Sequence, residues 1–450
     1  MGFALLAAAA VVQLRRFPVD EARAPQPAES AAPAEERGPA PGVSPELPAQ
    51  APVYAAPPPL VLDGGPNADA QVAADQAIGD RLAARLQRRG RMTPDDLRAA
   101  EALYTRYPAA ARQLYEAVLL SAAGAEREAR RFDAAAALVE RAIAIAPDSA
   151  VSRGALLYVR LEQGDWPGAE AAGRALLALA PADAAGARGL ATALLRQDRT
   201  RDAVELLAAF LDAHPDAETR AMLARIQREQ APEQRFDEAK LAHFHVRFDG
   251  DAHEEVGREI LRLLERHYAT LARSFDYQPA QPVPVILLAR DSYYTATGAP
   301  AWSGGRYDSF DGRVRIPIGG LSASLAPELD ETLVHELTHS FVADLSRGAA
   351  PRELHEGLAQ YMEGRRMSQL DPERLRALAD GRMRDVSGFY FGALWLVEDL
   401  LAQRGQGGIN DVLRAMATSG VDDAFRTVYG QDFAGAQRQA RLKLRQRHGS

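Results

Sequence analysis

A period of 34 residues, held in four columns at once, constrains this chain more than any other feature. Pro147, Pro181 and Pro215 keep that spacing, and so do Ala135, Ala169 and Ala203. Ile143, Leu177 and Leu211 form a third column, and Phe132, Trp166 and Thr200 a fourth. A unit of this length is one supersecondary element that cannot bury its apolar face alone, so successive units must stack. Each unit reads as two helices. The small alanine lets the second helix pack closely on the first. The proline, which lacks an N–H, stops that helix before the next unit begins.

These columns resemble the tetratricopeptide repeat, and the match covers roughly residues 116–230. Most of the aromatic and glycine positions of the first helix are missing, as in RGALLYVRLEQGDW, so the repeats are divergent. The resemblance implies an all-α stack whose concave surface holds a peptide or a protein partner. A spacer or an oligomerisation face is the alternative, because repeat architecture sets shape and not ligand. Earlier helices, over residues 75–89 and 94–124, are expected to cap the stack.

The chain has 450 residues, enough for two to four domains, and 47% are hydrophobic, an ordinary globular share. A net charge of -8 argues against a nucleic-acid partner. With no cysteine, disulfides, thiolate metal sites and cysteine nucleophiles are excluded. Residues 1–16 hold a short apolar run, FALLAAAAVV, read as a signal or anchor because a span needs about 20 apolar residues. Membrane anchoring through the N-terminus is therefore expected, with a cell-envelope location, either anchored or periplasmic. Arg15 and Arg16 after the run leave the cytoplasmic face open. Residues 17–70 are rich in proline and alanine and read as a disordered linker. Residues 71–232 hold the helical repeats.

From residue 235 to 450 the pattern changes. HFHVRF alternates as a strand, residues 253–275 have helical periodicity, and residues 283–288 read as a second strand. GRYDSF and RVRIPI are two more strand signals around an Asp311-Gly312 turn. Helices follow from about Pro327, so this part is α+β. The first of these helices carries LVHELTHSF. His335 and His339 are four apart, which puts both imidazoles on one helical face, and Glu336 stands beside them. This is the HExxH pattern, in which two histidines hold Zn²⁺ and the glutamate is a general base.

A catalytic zinc site usually has three protein ligands and one open position. PRELHEGLAQYMEG follows, and its Glu356 lies 17 residues after His339, where a helix–loop–helix return can bring the carboxylate back. Glu356 is favoured because it precedes Gly357 and is followed by residues that can pack inward; His355 and Glu353 remain alternatives. The metzincin pattern needs glycine and histidine where Val342 and Leu345 stand, so that class is excluded.

Here the domain resembles the gluzincin metallopeptidases, and more narrowly the peptidase-MA-like family of bacterial proteins, often joined to tetratricopeptide repeats. The resemblance spans about residues 240–420 and includes HFHVRFDG, APAWSGGRYDSFDGRVRIPI, HELTH, LHEGLAQYMEG and FYFGALWLVEDL. It implies a zincin-like domain with Zn²⁺ on His335, His339 and Glu356. It further implies hydrolysis of peptide bonds through a metal-activated water, with Glu336 as general base. Residues 313–318 are expected to flank the cleft, where a peptide substrate can add as a strand. The oxyanion donor is expected to be Tyr390, with Tyr307 and His355 as weaker candidates. The rival reading is a repeat-based interaction scaffold whose peptidase-like domain is catalytically silent. The presence of Glu336, which folding does not require, favours the enzyme. An assembly factor for envelope proteins, tethered to the membrane, is compatible with either reading.

Overall fold

Proline and alanine lay out the first half of the molecule. The computed structural model describes residues 60–62, 70–232, 237–248, 254–299, 303–318, 326–383 and 386–449. The apolar N-terminal run and nearly all of the expected linker lie outside the described residues. Among the described residues, no helix is long and apolar enough to cross a membrane.

Among the described residues, nine helices come first: α1 (Ala70–Gln87), α2 (Pro94–Arg106), α3 (Pro108–Glu128), α4 (Phe132–Ile145), α5 (Ala150–Gln163), α6 (Trp166–Leu179), α7 (Ala184–Arg196), α8 (Thr200–Ala213) and α9 (Ala217–Gln230). The repeat columns map onto them directly. Phe132, Trp166 and Thr200 each open the second helix of a hairpin. Ala135, Ala169 and Ala203 are all fully buried where those helices cross their partners. The residue before each repeat proline leaves helical geometry in nearly the same way, Ala146 at φ -134°, Ala180 at φ -132° and His214 at φ -136°. Proline sterically disfavours helical geometry in the residue before it, which fixes all three helix ends. The single helix expected over residues 94–124 is instead two. Pro108 forces Tyr107 out of helical geometry (φ -131°, ψ 65°) and starts a new helix as its first residue.

The second half holds β1 (Asp237–Lys240), β2 (Phe244–Phe248), α10 (Glu254–Phe275), β3 (Val283–Leu288), α11 (Arg290–Thr297), β4 (Arg306–Asp308) and β5 (Arg313–Pro317). After these come α12 (Ala326–Leu345), α13 (Arg352–Met362), α14 (Pro372–Ala379), α15 (Val386–Ser419, bent at Gly405), α16 (Val421–Tyr429) and α17 (Phe433–His448). The sheet is mixed, in the order β1-β2-β3-β5-β4. Its central pairs β2–β3 and β3–β5 are parallel, and its outer pairs are antiparallel. The chain is thus mostly helical with one small mixed sheet, compatible with a helical part followed by an α+β part. Strand β1 and helix α11 were not expected. The basic C-terminal helix packs in part on α15: Ala440 and Leu444 are buried, and Trp395 Nε1 donates to the Ala440 carbonyl at 2.6 Å.

Side-chain alternation divides the sheet into two faces. Phe244, Val246, Val285, Leu287, Val314 and Ile316 enter one core with α10 and α12. The opposite face carries Arg247, Arg313 and Arg315, and the repeat helices cover it. Phe310, in the β4–β5 turn, joins the repeat core of Leu190, Leu194, Leu207 and Ile226. Burial therefore continues across the expected boundary between residues 232 and 235. Residues 313–318, expected to flank a cleft, lie inside the sheet between β3 and β4. The edges of the sheet are β1 and β4.

Candidate metal centre

Helix α12 presents His335 and His339 on one face, one turn apart, with ring centroids 4.9 Å apart. The helix is anchored by Leu333, Leu337 and Phe341, all fully buried. A tight return then brings α13 alongside, and Glu356 sits in its first half. Gly357 makes this possible: a Cβ there would lie 2.3 Å from the Ala393 carbonyl oxygen, so α13 and α15 approach closely only without a side chain.

Glu356 Oε2 lies 3.7 Å from His335 Nε2 and 3.9 Å from His339 Nε2. One donor atom from each of the three residues lies within 4.8 Å of the others, and no other such group occurs among the described residues. Glu356 Oε2 is buried and has no hydrogen-bond partner. A buried carboxylate oxygen left unpaired is costly unless something else meets it. Tetrahedral zinc with ligands at about 2.0–2.2 Å requires donors roughly 3.4 Å apart, close to the observed separations. Two imidazole nitrogens and a carboxylate therefore fit the ion. His355 lies outside the group; its ring is 5.6 Å from that of His339. Glu353 accepts a hydrogen bond from Gln437 Nε2 at 2.9 Å and turns towards α17. Neither competes with Glu356.

The two histidines are held in different protonation states, and His335 must release its Nε2 proton to bind a metal. His335 Nδ1 is 2.7 Å from Glu363 Oε2. A carboxylate only accepts, so Nδ1 carries the proton and Nε2 faces Glu356. Burial disfavours the charged form of His335, but the Glu363 and Glu356 carboxylates outweigh it and raise its pKa. Burial depresses His339 to about 3, leaving a neutral imidazole. Burial alone would raise Glu356, but the nearby His335, together with His339 and Arg352, brings it down to about 2.

Glu336 is buried beside the group, and its Oε2 accepts the backbone N–H of Tyr307 at 2.6 Å. Gly305 permits this approach, since a Cβ there would lie 2.9 Å from Glu336 Cγ. Burial pushes Glu336 up to about 7, although His335 and the Tyr307 N–H pull it down. Tyr390, near the start of α15, is half-buried. Its hydroxyl is pushed up to about 12 by burial and by the Glu356 charge, while a hydrogen bond with Arg352 works the other way. It remains a protonated donor at neutral pH. Tyr307 contributes its main chain rather than its ring to the site.

Glu363 went unnoticed in the sequence. It follows Glu356 by seven residues, two turns along the same helical face, and that spacing was the available signal. Its other oxygen is 2.5 Å from Arg365 Nε, which holds the carboxylate in place. Carboxylates behind ligating histidines fix the tautomer and raise basicity. Glu363→Gln is expected to weaken zinc binding by about 10–100-fold, read by competition with a chromophoric chelator. Unchanged affinity would remove Glu363 from the site. No protein-family model matches the chain, and no curated protein matches it.

Proposed function

We propose that this chain is a zinc-dependent peptidase of the gluzincin type. In this reading His335, His339 and Glu356 hold Zn²⁺, Glu336 acts as general base, and Tyr390 donates to the developing oxyanion. The observation that carries it is the buried, unpaired Glu356 Oε2 between two imidazole nitrogens, with a second buried carboxylate beside them.

Zinc, when bound, supplies Lewis acidity and lowers the pKa of a coordinated water from 15.7 towards about 7. The chain's own groups perform the proton transfers. Glu336, buried and near neutral in pKa, accepts a proton from the attacking water as its oxygen joins the scissile carbonyl carbon. The Tyr307 N–H holds that carboxylate in place. When the C–N bond breaks, Glu336 returns the proton to the leaving amine. Tyr390, protonated at working pH, can hydrogen-bond the carbonyl oxygen as negative charge develops on it. The peptide or protein substrate would approach along the free β4 edge, and the repeats would present a partner or substrate.

Elemental mass spectrometry on the full chain, purified without chelators, tests the proposal. One zinc per wild-type chain is expected, and loss of it in His335→Ala. A wild-type chain without a stoichiometric divalent metal would sink the peptidase reading.

A further inference from the structure

We infer that the third repeat hairpin is part of the active-site scaffold, with Arg196 a positioning residue for the edge strand that holds Glu336. This rests on the peptidase reading for its meaning, though its structural content is independent of it.

The argument begins with the charges between the repeats and the sheet. Asp198 occupies the turn between α7 and α8 at φ 59°, a left-handed conformation that aims its side chain at the sheet. It receives both Nη atoms of Arg247, at 2.9 and 2.6 Å, and Arg313 Nη2 at 2.6 Å. Arg313 also pairs with Thr200 at the start of α8. From α9, Arg225 Nη2 reaches Asp308 at 2.6 Å, and Glu229 forms an ion pair with Arg315 at 3.2 Å. Fork-shaped guanidinium pairs fix orientation as well as distance. A flexible linkage between independent domains would be expected to be smaller and more exposed. Here the β4–β5 hairpin is gripped at both strands.

Arg196 carries that grip to the catalytic edge. It is the last residue of α7, and its guanidinium lies over the Trp166 ring at 4.5 Å. That stacking fixes its direction. Nη1 donates to the Ser309 carbonyl at 3.0 Å, and the guanidinium also lies against Gly312, so it meets the β4–β5 turn on both sides. Tyr307 is the residue whose N–H binds Glu336 Oε2. One side chain from the repeats therefore holds the turn that follows β4, two residues from the N–H that binds the general base. Strand β4 has only three residues and one strand neighbour. Its own pairing is too short to hold it firmly, and the contacts from the repeats add to those from α11 and α12.

Hydrogen–deuterium exchange of the full chain tests this, with zinc content measured on the same samples. Arg196→Ala is expected to accelerate exchange in residues 303–318 about tenfold. Residues 326–362, and zinc content, should match the wild type. Arg196→Gln, which keeps donors but drops the charge, should accelerate the same segment less. Arg201→Ala, an exposed arginine of α8 paired only with Glu205 on its own helix, is the control and should change nothing in 303–318. Unchanged exchange in 303–318 for Arg196→Ala would overturn the inference. So would uniform acceleration throughout the chain in both Arg196 variants. A metal-free wild type would sink the peptidase reading without touching this exchange pattern.

Discussion

Glu336→Gln is expected to leave zinc bound at one ion per chain while peptide hydrolysis falls by about 10²–10⁴-fold. The two outcomes separate because Glu336 is not among the three grouped donors. Glutamine matches glutamate in shape, and its amide oxygen can still accept the Tyr307 N–H, so the helix and β4 keep their relation. What disappears is a group able to take and return a proton. His335→Ala should behave in the opposite manner and lose the ion itself, because two donors remain where catalytic sites use three. Paired elemental analysis and turnover of a generic protein substrate distinguish the cases. Equal turnover by the wild type and Glu336→Gln would mean that the carboxylate is no base, and the scaffold reading would gain. Retained zinc with abolished turnover would also provide a form of the protein suited to capturing substrates.

The parts legible in the sequence were those whose physics is local. The 34-residue columns survive in the structure because each records one helix–helix contact, and a buried alanine at 135, 169 or 203 cannot be replaced without separating two backbones. HExxH was legible because helical spacing alone puts His335 and His339 together. Glu356 could be reached from the short return between two helices. What remained hidden depended on chain segments far apart in sequence. RVRIPI read correctly as a strand, yet nothing in it says that Arg313 meets a carboxylate 115 residues earlier. Sheet order is likewise a tertiary outcome, so an interior strand was taken for the edge. The break at Tyr107 is different: Pro108 was plainly visible, and its effect on the preceding residue was simply overridden by helical periodicity.

Arg315→Ala is expected to cost about 3–5 kcal/mol of folding stability, because it takes a shared cation from two buried carboxylates. Arg315 is 1% exposed, and it donates to Asp311 at 2.5 and 3.3 Å and lies 3.2 Å from Glu229. Asp311 and Glu229 are themselves almost fully buried. Removing the cation leaves Asp311 with only Arg313 and Glu229 with only Arg225, whereas a surface pair would contribute at most about 1 kcal/mol. The pH dependence follows from the same contacts. Burial would raise Asp311, but Arg315 and Arg313 hold it down to about 2, below the ordinary 3.8. A carboxylate lowered on folding adds stability that is present above its unfolded pKa and disappears as pH falls through the folded one. The difference between wild type and Arg315→Ala should therefore be full at neutral pH and shrink between about pH 4 and 2. Urea denaturation across that range measures it. A loss below about 1 kcal/mol at pH 7 would show that water reaches the network and that the repeats rest on the sheet more loosely. A full loss would carry a further consequence. Cutting the chain before β1 removes both Asp198 and Glu229 from the buried arginines, so the second half produced alone should be markedly less stable than the same residues in the intact protein.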